Sequence, residues 1–90
     1  MTQPTIWIVD DDSSIRWVID RSLSQAGYST KQFENGSALL SALKANHPDV
    51  IISDIRMPDL DGITLVKEVK VAYPNMPLII ITAHLSLIHI

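Results

Sequence analysis

The chain has 90 residues, a formal net charge of -3 and a hydrophobic content of 47%, which is typical of one small globular domain rather than a disordered segment. This acidic balance argues against a nucleic-acid surface, which needs clustered Lys and Arg. The chain has no cysteine, so disulfides and thiolate metal sites are excluded. No apolar run approaches the roughly 20 residues that span a bilayer, and the N-terminus does not have the pattern of a signal peptide. We therefore expect a cytoplasmic protein with no membrane partner.

Apolar runs alternate with amphipathic stretches in the order β-α-β-α-β-α-β. Continuous rather than alternating apolarity, as from Thr5 to Val9, is typical of a strand covered on both faces. Between strands, apolar residues recur at helical spacing, as in the stripe formed by Ile15, Val18, Ile19 and Leu23. Strands are predicted at residues 5–9, 29–33, 49–54 and 78–82, and helices are predicted after Asp12, Asn35 and Asp61. This order predicts an α/β three-layer sandwich, in which helices cover both faces of a parallel sheet.

Acidic residues follow two of the predicted strands. Asp10, Asp11 and Asp12 come directly after the first strand, and Asp54 ends the third. The carboxyl ends of parallel strands lie side by side at the crevice where ligands bind. Carboxylates held close together repel each other, and a hard divalent cation such as Mg²⁺ is the simplest remedy. The sequence therefore predicts a magnesium pocket at this end of the sheet.

Other polar residues near this pocket have simpler interpretations. Asp12 either joins the metal site or only caps the following helix, and the sequence leaves both open. Asp59 and Asp61 are interpreted as a loop residue and a helix cap. Arg16 is interpreted as a surface residue near the site rather than a catalytic one.

Three motifs together resemble one known family. They are Val9-Asp10-Asp11-Asp12, the segment from Asp54 to Gly62, and Ile81-Thr82-Ala83. In this order and spacing they are similar to the receiver domain of two-component response regulators, in particular those that control nitrogen genes. The resemblance covers about residues 5 to 84. It implies a flavodoxin-like receiver fold with the parallel strand order 2-1-3-4.

The resemblance also implies roles for individual residues. A sensor histidine kinase of the nitrogen-regulation type would donate a phosphoryl group to Asp54, and the hydroxyl of Thr82 would sense that group. The implied Mg²⁺ ligands are the carboxylates of Asp10, Asp11 and Asp54 and the backbone carbonyl of Arg56. On this interpretation the chain is a signalling phosphoacceptor that assists only its own phosphorylation and dephosphorylation. It would control transcription and reach DNA only through domains absent from this chain.

Two other functions stay open. A Mg²⁺-dependent phosphohydrolase with an aspartyl-phosphate intermediate would use similar acids. Such enzymes commonly place a second acid two residues after the nucleophile, where this chain has Arg56. An inactive truncated fragment is the other alternative, because the family's lysine at the end of strand five has no counterpart here.

The C-terminal part departs from the family pattern. Strand five and the last two helices are expected to be missing, so residues 1–84 would be a truncated receiver domain and residues 85–90 a non-native or out-of-frame tail. The fourth strand would then have an unpaired apolar edge. We expect reduced stability, or dimerisation through this edge at Ile79 to Ile81.

Overall fold

The computed structural model describes residues 3–55, 61–81 and 87–89. The predicted alternation of strands and helices is confirmed. The strands are β1 (Thr5–Val9), β2 (Ser29–Phe33), β3 (Val50–Asp54), β4 (Leu78–Ile81) and β5 (Leu87–His89). The helices are α1 (Ser13–Gln25), α2 (Gly36–Leu43) and α3 (Gly62–Ala72).

Each helix begins at a polar residue that caps its first turn. The side chains of Asp12, Asn35 and Asp61 each accept a hydrogen bond from a backbone N–H inside the helix that follows. These bonds satisfy amides that have no partner within the helix. After α1 the chain turns at Gly27, whose φ of 98° favours a residue without a Cβ atom. The polar residues of the sequence thus set where the helices begin.

The four strands β1 to β4 form a parallel sheet in the order β2-β1-β3-β4. This is the order that the sequence resemblance implied, and it is typical of flavodoxin-like folds. Strand β1 lies in the interior of the sheet, and its residues from Ile6 to Val9 are all buried. Helices α2 and α3 contact each other, whereas α1 contacts β1 and β2. The sheet therefore has helices on both faces.

An apolar core cluster lies between the sheet and the pair formed by α2 and α3. Its most deeply buried members come from all of these elements, which are joined into one continuous core. They include Val9, Leu39, Leu43, Ile51, Leu65, Val69, Leu78 and Ile80. This core holds β1 and β3 in place, and those strands carry the acidic residues at their ends.

The opposite face of the sheet is covered less completely. No residue of α1 is fully buried, and Val18 on this helix is 54% exposed. The prediction that Val18 belongs to an inward stripe with Ile15, Ile19 and Leu23 is therefore wrong at that position. The main contacts of α1 among the described residues are with β1 and β2, and Val18 turns away from them.

The segment after β4 corrects a second expectation. Leu87–His89 forms β5, which pairs antiparallel with β4 so that Ile80 lies opposite Ile88. The parallel order 2-1-3-4 stands, but the expected unpaired edge of β4 is wrong, and dimerisation through that edge loses its basis. The backbone N–H and C=O groups of an edge strand can pair with any extended segment. Such pairing does not require a recognisable turn motif in the sequence. The interpretation of residues 85–90 as a non-native tail stays a prediction.

Among the residues that the structure describes, no helix has the length and apolar character needed to cross a membrane.

Two matched substitutions test whether α1 buries its side chains less deeply than α3 does on the opposite face of the sheet. Val18→Ala should change the free energy of unfolding by less than about 0.5 kcal/mol, because this side chain is mostly in water. Val69→Ala removes the same two methyl groups from a side chain with no exposed surface and should cost about 2 kcal/mol. Both residues lie in helices, so helix propensity cancels in the comparison. Urea unfolding of the two variants measures the difference, and equal losses would contradict this description of α1.

Candidate functional site

The parallel register of β1 and β3 brings two acidic residues together. Val9 pairs with Ser53 across these strands, so the residues that follow them, Asp10 and Asp54, are neighbours at the carboxyl edge of the sheet. Asp10 remains tied to the sheet because its backbone N–H donates to the carbonyl of Phe33 at 3.2 Å. The strand pairing itself thus assembles the first two members of the site.

Asp11 completes a group of three carboxylates. Oxygen atoms from Asp10, Asp11 and Asp54 all lie within 4.8 Å of one another. Asp10 is buried, Asp54 is half-buried and Asp11 is exposed, so the pocket opens to solvent on the side of Asp11. The predicted convergence of these three residues is confirmed.

The buried member of the group is electrostatically strained. Burial is the largest cause that raises the pKa of Asp10, and together with the carboxylates of Asp54, Asp11 and Asp12 it brings the pKa from 3.8 to about 6. The backbone N–H of Asp12 opposes this shift by donating to Asp10 Oδ1 at 2.8 Å. Three carboxylates this close disfavour full ionisation of the group unless positive charge is supplied.

These residues fit a hard divalent cation. The ligand set consists of carboxylate oxygens, which Mg²⁺ and Ca²⁺ prefer. A spacing within 4.8 Å matches a coordination shell, which is roughly 4 to 5 Å across for such ions. The open side at Asp11 leaves room for water or for an anionic group beside the ion. The sequence resemblance implied a Mg²⁺ site at these same three carboxylates.

Asp12 has a different role from its two neighbours. Its Oδ1 accepts hydrogen bonds from the backbone N–H groups of Ser14 at 2.9 Å and Ile15 at 3.2 Å. Of the two possibilities that the sequence left open, the structure shows the helix cap. Asp61 likewise caps α3 through Thr64, as its sequence position indicated.

Close packing beneath Asp54 fixes the backbone of this residue. Gly62 at the start of α3 donates its backbone N–H to the carbonyl of Ile55 at 2.9 Å. A Cβ atom on Gly62 would lie 2.7 Å from the Cα of Ile55 and closer still to the carbonyl oxygen of Asp54. Ser53, fully buried, donates its hydroxyl to the same Asp54 carbonyl at 2.9 Å. The end of β3 therefore has little freedom to move.

Sequence reasoning missed the contacts of Arg16. Its guanidinium Nη1 donates to the backbone carbonyl of Asp10 at 2.5 Å, and its Nε donates to Gln32 Oε1 at 3.1 Å. The available signal was the position of Arg16 four residues after the Asp12 cap, because long helical side chains lean toward the N-terminus of their helix.

Some predicted site residues lie outside the described residues. These are Arg56, whose backbone carbonyl is an implied ligand, Asp59, and the implied phosphoryl sensor Thr82. Their roles stay predictions.

Comparison with known proteins agrees with this fold and pocket. The sequence model of the response regulator receiver domain matches residues 6–89. The chain belongs to this family, and it is therefore a receiver domain of a signalling regulator rather than an enzyme of the usual kind.

Its relatives include the transcriptional regulator NtrC. The chain is 52% identical over 87 residues to NtrC of Salmonella typhimurium, which covers 97% of this chain and 19% of that protein. The chain thus spans about a fifth of the length of this relative. A beryllofluoride-activated receiver domain of NtrC superposes with a TM-score of 0.78 at 52% identity, covering 93% of this chain and 68% of that one. The response regulator TrrA of Thermotoga maritima, in complex with Mg²⁺ and beryllofluoride, gives a TM-score of 0.87 at 30% identity over 90% of this chain and 70% of its own.

The raised pKa of Asp10 generates a prediction about pH. Between pH 3.8 and about 6 the folded chain binds a proton that the unfolded chain has released, so this group makes the free energy of unfolding fall as pH rises. Asp10→Asn carries no charge at any pH and keeps the oxygen that accepts from Asp12. At pH 7 without metal it should be more stable than the parent by on the order of 2 kcal/mol, because one pKa unit corresponds to about 1.4 kcal/mol. The difference should shrink toward zero near pH 4.

Urea unfolding in the presence of a chelator, at pH 4 and pH 7, measures this difference. Asp12→Asn is the matched control, because asparagine also caps helices and this side chain is exposed. At pH 7 the Asp12→Asn variant should gain less than half as much stability as Asp10→Asn. An Asp10→Asn variant that is less stable than the parent at pH 7 would contradict the interpretation of a strained acidic pocket.

The packing of Gly62 generates a separate prediction. Gly62→Ala should cost about 1 to 3 kcal/mol of stability, because the new methyl group overpacks against the backbone of Asp54 and Ile55. It should also weaken Mg²⁺ binding, since the end of β3 must shift. Gly27→Ala is the control: its backbone strain costs about 1 kcal/mol, but nothing lies within 4 Å of the new atom. Urea unfolding and a Mg²⁺ titration of both variants test this, and unchanged Mg²⁺ affinity in Gly62→Ala would contradict it.

Proposed function

We propose that this chain is the phosphoacceptor receiver of a two-component phosphorelay and that Asp54 is the residue phosphorylated. The observation that supports this most directly is the position of Asp54. It is half-buried at the carboxyl end of β3, with carboxylate oxygens of Asp10 and Asp11 within 4.8 Å. Membership in the receiver family and the similarity to NtrC support the same assignment.

The proposed chemistry follows from the properties of a carboxylate in such a pocket. An ionised carboxylate is a competent nucleophile for phosphoryl transfer. Catalysis of this reaction consists mainly of positioning the groups and neutralising charge on the phosphoryl oxygens. Mg²⁺, held by Asp10, Asp11, Asp54 and the backbone carbonyl of Arg56, would supply that neutralising charge.

The chain itself supplies the positioning. The backbone of Asp54 is held by the Ser53 hydroxyl on its carbonyl and by the packing of Gly62 beneath it. The next residue, Ile55, donates its backbone N–H to the carbonyl of Ile81 at 3.1 Å. These contacts come from three different elements, so the carboxylate of Asp54 needs little reorganisation before it attacks phosphorus. In this way the chain assists its own phosphorylation and dephosphorylation.

The proposal also assigns a switch to Thr82. Asp54 pairs with Ile81 across β3 and β4, and Thr82 directly follows Ile81 in the sequence. A hydroxyl at the end of the strand next to the phosphoacceptor can donate to a phosphoryl oxygen after transfer. Turning toward that oxygen would change the surface presented by the residues that follow.

The partners follow from the family and its NtrC relatives. The proposed phosphodonor is the phosphohistidine of a sensor histidine kinase of the NtrB type, and the proposed output is transcription of nitrogen genes. Contact with DNA would be made by domains absent from this chain. A cytoplasmic location is part of the proposal.

Phosphorylation can be tested directly. Incubation with Mg²⁺ and acetyl phosphate should add one phosphoryl group per chain, as measured by intact mass, because small phosphodonors need only a positioned nucleophile and a neutralising ion. Asp54→Asn should abolish the mass gain, and removal of Mg²⁺ with a chelator should reduce it by at least 10-fold. Asp12→Asn is the control and should be modified like the parent, because Asp12 caps α1.

The possible results separate the functions considered. Stoichiometric modification that depends on Asp54 supports the receiver function. Many turnovers of acetyl phosphate without a stable mass gain would favour a phosphohydrolase. A folded chain that shows no modification would favour an inactive fragment.

A further inference from the structure

Arg16 reaches back from α1 to the loop that carries two of the three clustered carboxylates. It lies in the first turns of α1, where its backbone N–H donates to the carbonyl of Asp12 at 3.0 Å. Its half-buried side chain extends toward the start of the helix, and Nη1 lies 2.5 Å from the backbone carbonyl oxygen of Asp10. This is a short, charge-assisted hydrogen bond.

A second hydrogen bond anchors the same guanidinium to the sheet. The Nε atom of Arg16 donates to Gln32 Oε1 at 3.1 Å, and Gln32 pairs with Ile8 across β2 and β1. A guanidinium is planar and presents its N–H donors in a rigid fork, so two acceptors held by different elements fix its orientation. Arg16 therefore connects α1, the loop after β1, and β2.

The Asp10 carbonyl that accepts from Arg16 lies directly before Asp11 in the backbone. It belongs to the planar peptide unit that joins Asp10 to Asp11, so its direction constrains the backbone from which the Asp11 side chain extends. The Asp10 carboxylate is held separately by the N–H of Asp12 at 2.8 Å. Arg16 thus restrains the Asp10–Asp11 peptide, whereas the Asp12 N–H restrains the Asp10 side chain.

Arg16 bears on the pocket through the directional hydrogen bond from Nη1 to the Asp10 carbonyl.

We propose that Arg16 is a positioning residue that orients the Asp10–Asp11 peptide so that both carboxylates converge with Asp54 on a divalent cation. This inference rests on the proposed function, since it concerns the same acidic pocket. It changes the sequence-based interpretation of Arg16 as a surface residue near the site. Residues that orient metal ligands commonly affect affinity about 10-fold or more when they are replaced.

The test is a Mg²⁺ titration of the whole chain followed by the backbone amide NMR signals of Asp11 and Asp12. Arg16→Met keeps the apolar stem but removes every donor, and it should weaken Mg²⁺ binding about 10-fold. It should also shift the Asp11 amide signal before metal is added. Arg16→Lys keeps one donor for the carbonyl and should recover part of the affinity, because it cannot bridge to Gln32 in the same way.

Arg21→Met is the matched control. It removes the same group from the same helix, but the guanidinium of Arg21 lies 5.7 Å from the Trp17 ring centre and the residue is exposed. Its Mg²⁺ affinity should equal that of the parent. Thermal unfolding of each variant establishes that it is folded under the titration conditions.

The outcomes distinguish this inference from the function on which it rests. If Asp11→Asn abolishes Mg²⁺ binding while Arg16→Met binds within twofold of the parent, the role of Arg16 is overturned and the receiver function stands. If the parent itself shows no Mg²⁺-dependent shifts, both are overturned. If Arg16→Met does not fold, Gln32→Leu and Arg16→Lys decide: about threefold weaker binding in each supports the inference, and parental affinity in both overturns it.

Discussion

The alignment of β1 with β3 is the constraint on which the acidic pocket depends. Pairing Val9 with Ser53 places the next residues, Asp10 and Asp54, next to each other although they are distant along the chain. A shift of one residue in this register would turn every buried side chain of a strand toward the opposite face. Because β1 is buried along most of its length, such a shift would be costly, and burial of the sheet therefore protects the geometry of the site.

The acidic pocket lowers the free energy of unfolding of the chain at neutral pH. Burial and neighbouring carboxylates raise the pKa of Asp10, so holding the three acids together costs free energy at neutral pH. Charge concentrated in this way is typical of functional sites, where the folded structure maintains an arrangement that would otherwise relax. Ser53 and Gly62 restrain the backbone of Asp54, and Arg16 with the Asp12 amide restrains the loop after β1. The contacts that restrain these acids come from all three layers of the sandwich.

The two faces of the sheet contribute unequally to this support. The face under α2 and α3 holds the continuous apolar core, and it holds the strand ends from below. On the other face the main contacts of α1 among the described residues are with β1 and β2, and Trp17 and Val18 remain more than half exposed. Even so, α1 contributes to the site through its first turns, which carry the Asp12 cap and the guanidinium of Arg16. Helix α1 supports the pocket through hydrogen bonds to the loop after β1 and to β2 more than through deep burial of its side chains.

The sequence by itself determined the elements that depend on local patterns. Continuous apolar runs, the helix caps, and acids at two strand ends were sufficient to predict the sandwich and an acidic pocket at one edge of the sheet, and the family resemblance implied that Asp10 and Asp11 join Asp54 there. Three features required the tertiary structure: the exposure of Val18, the pairing of Leu87–His89 with β4, and the hydrogen bond from Arg16 to the Asp10 carbonyl. Helical spacing shows which residues share a face but not how far a neighbouring layer extends over them. Backbone pairing and long side chains likewise join segments whose relative positions no local pattern contains.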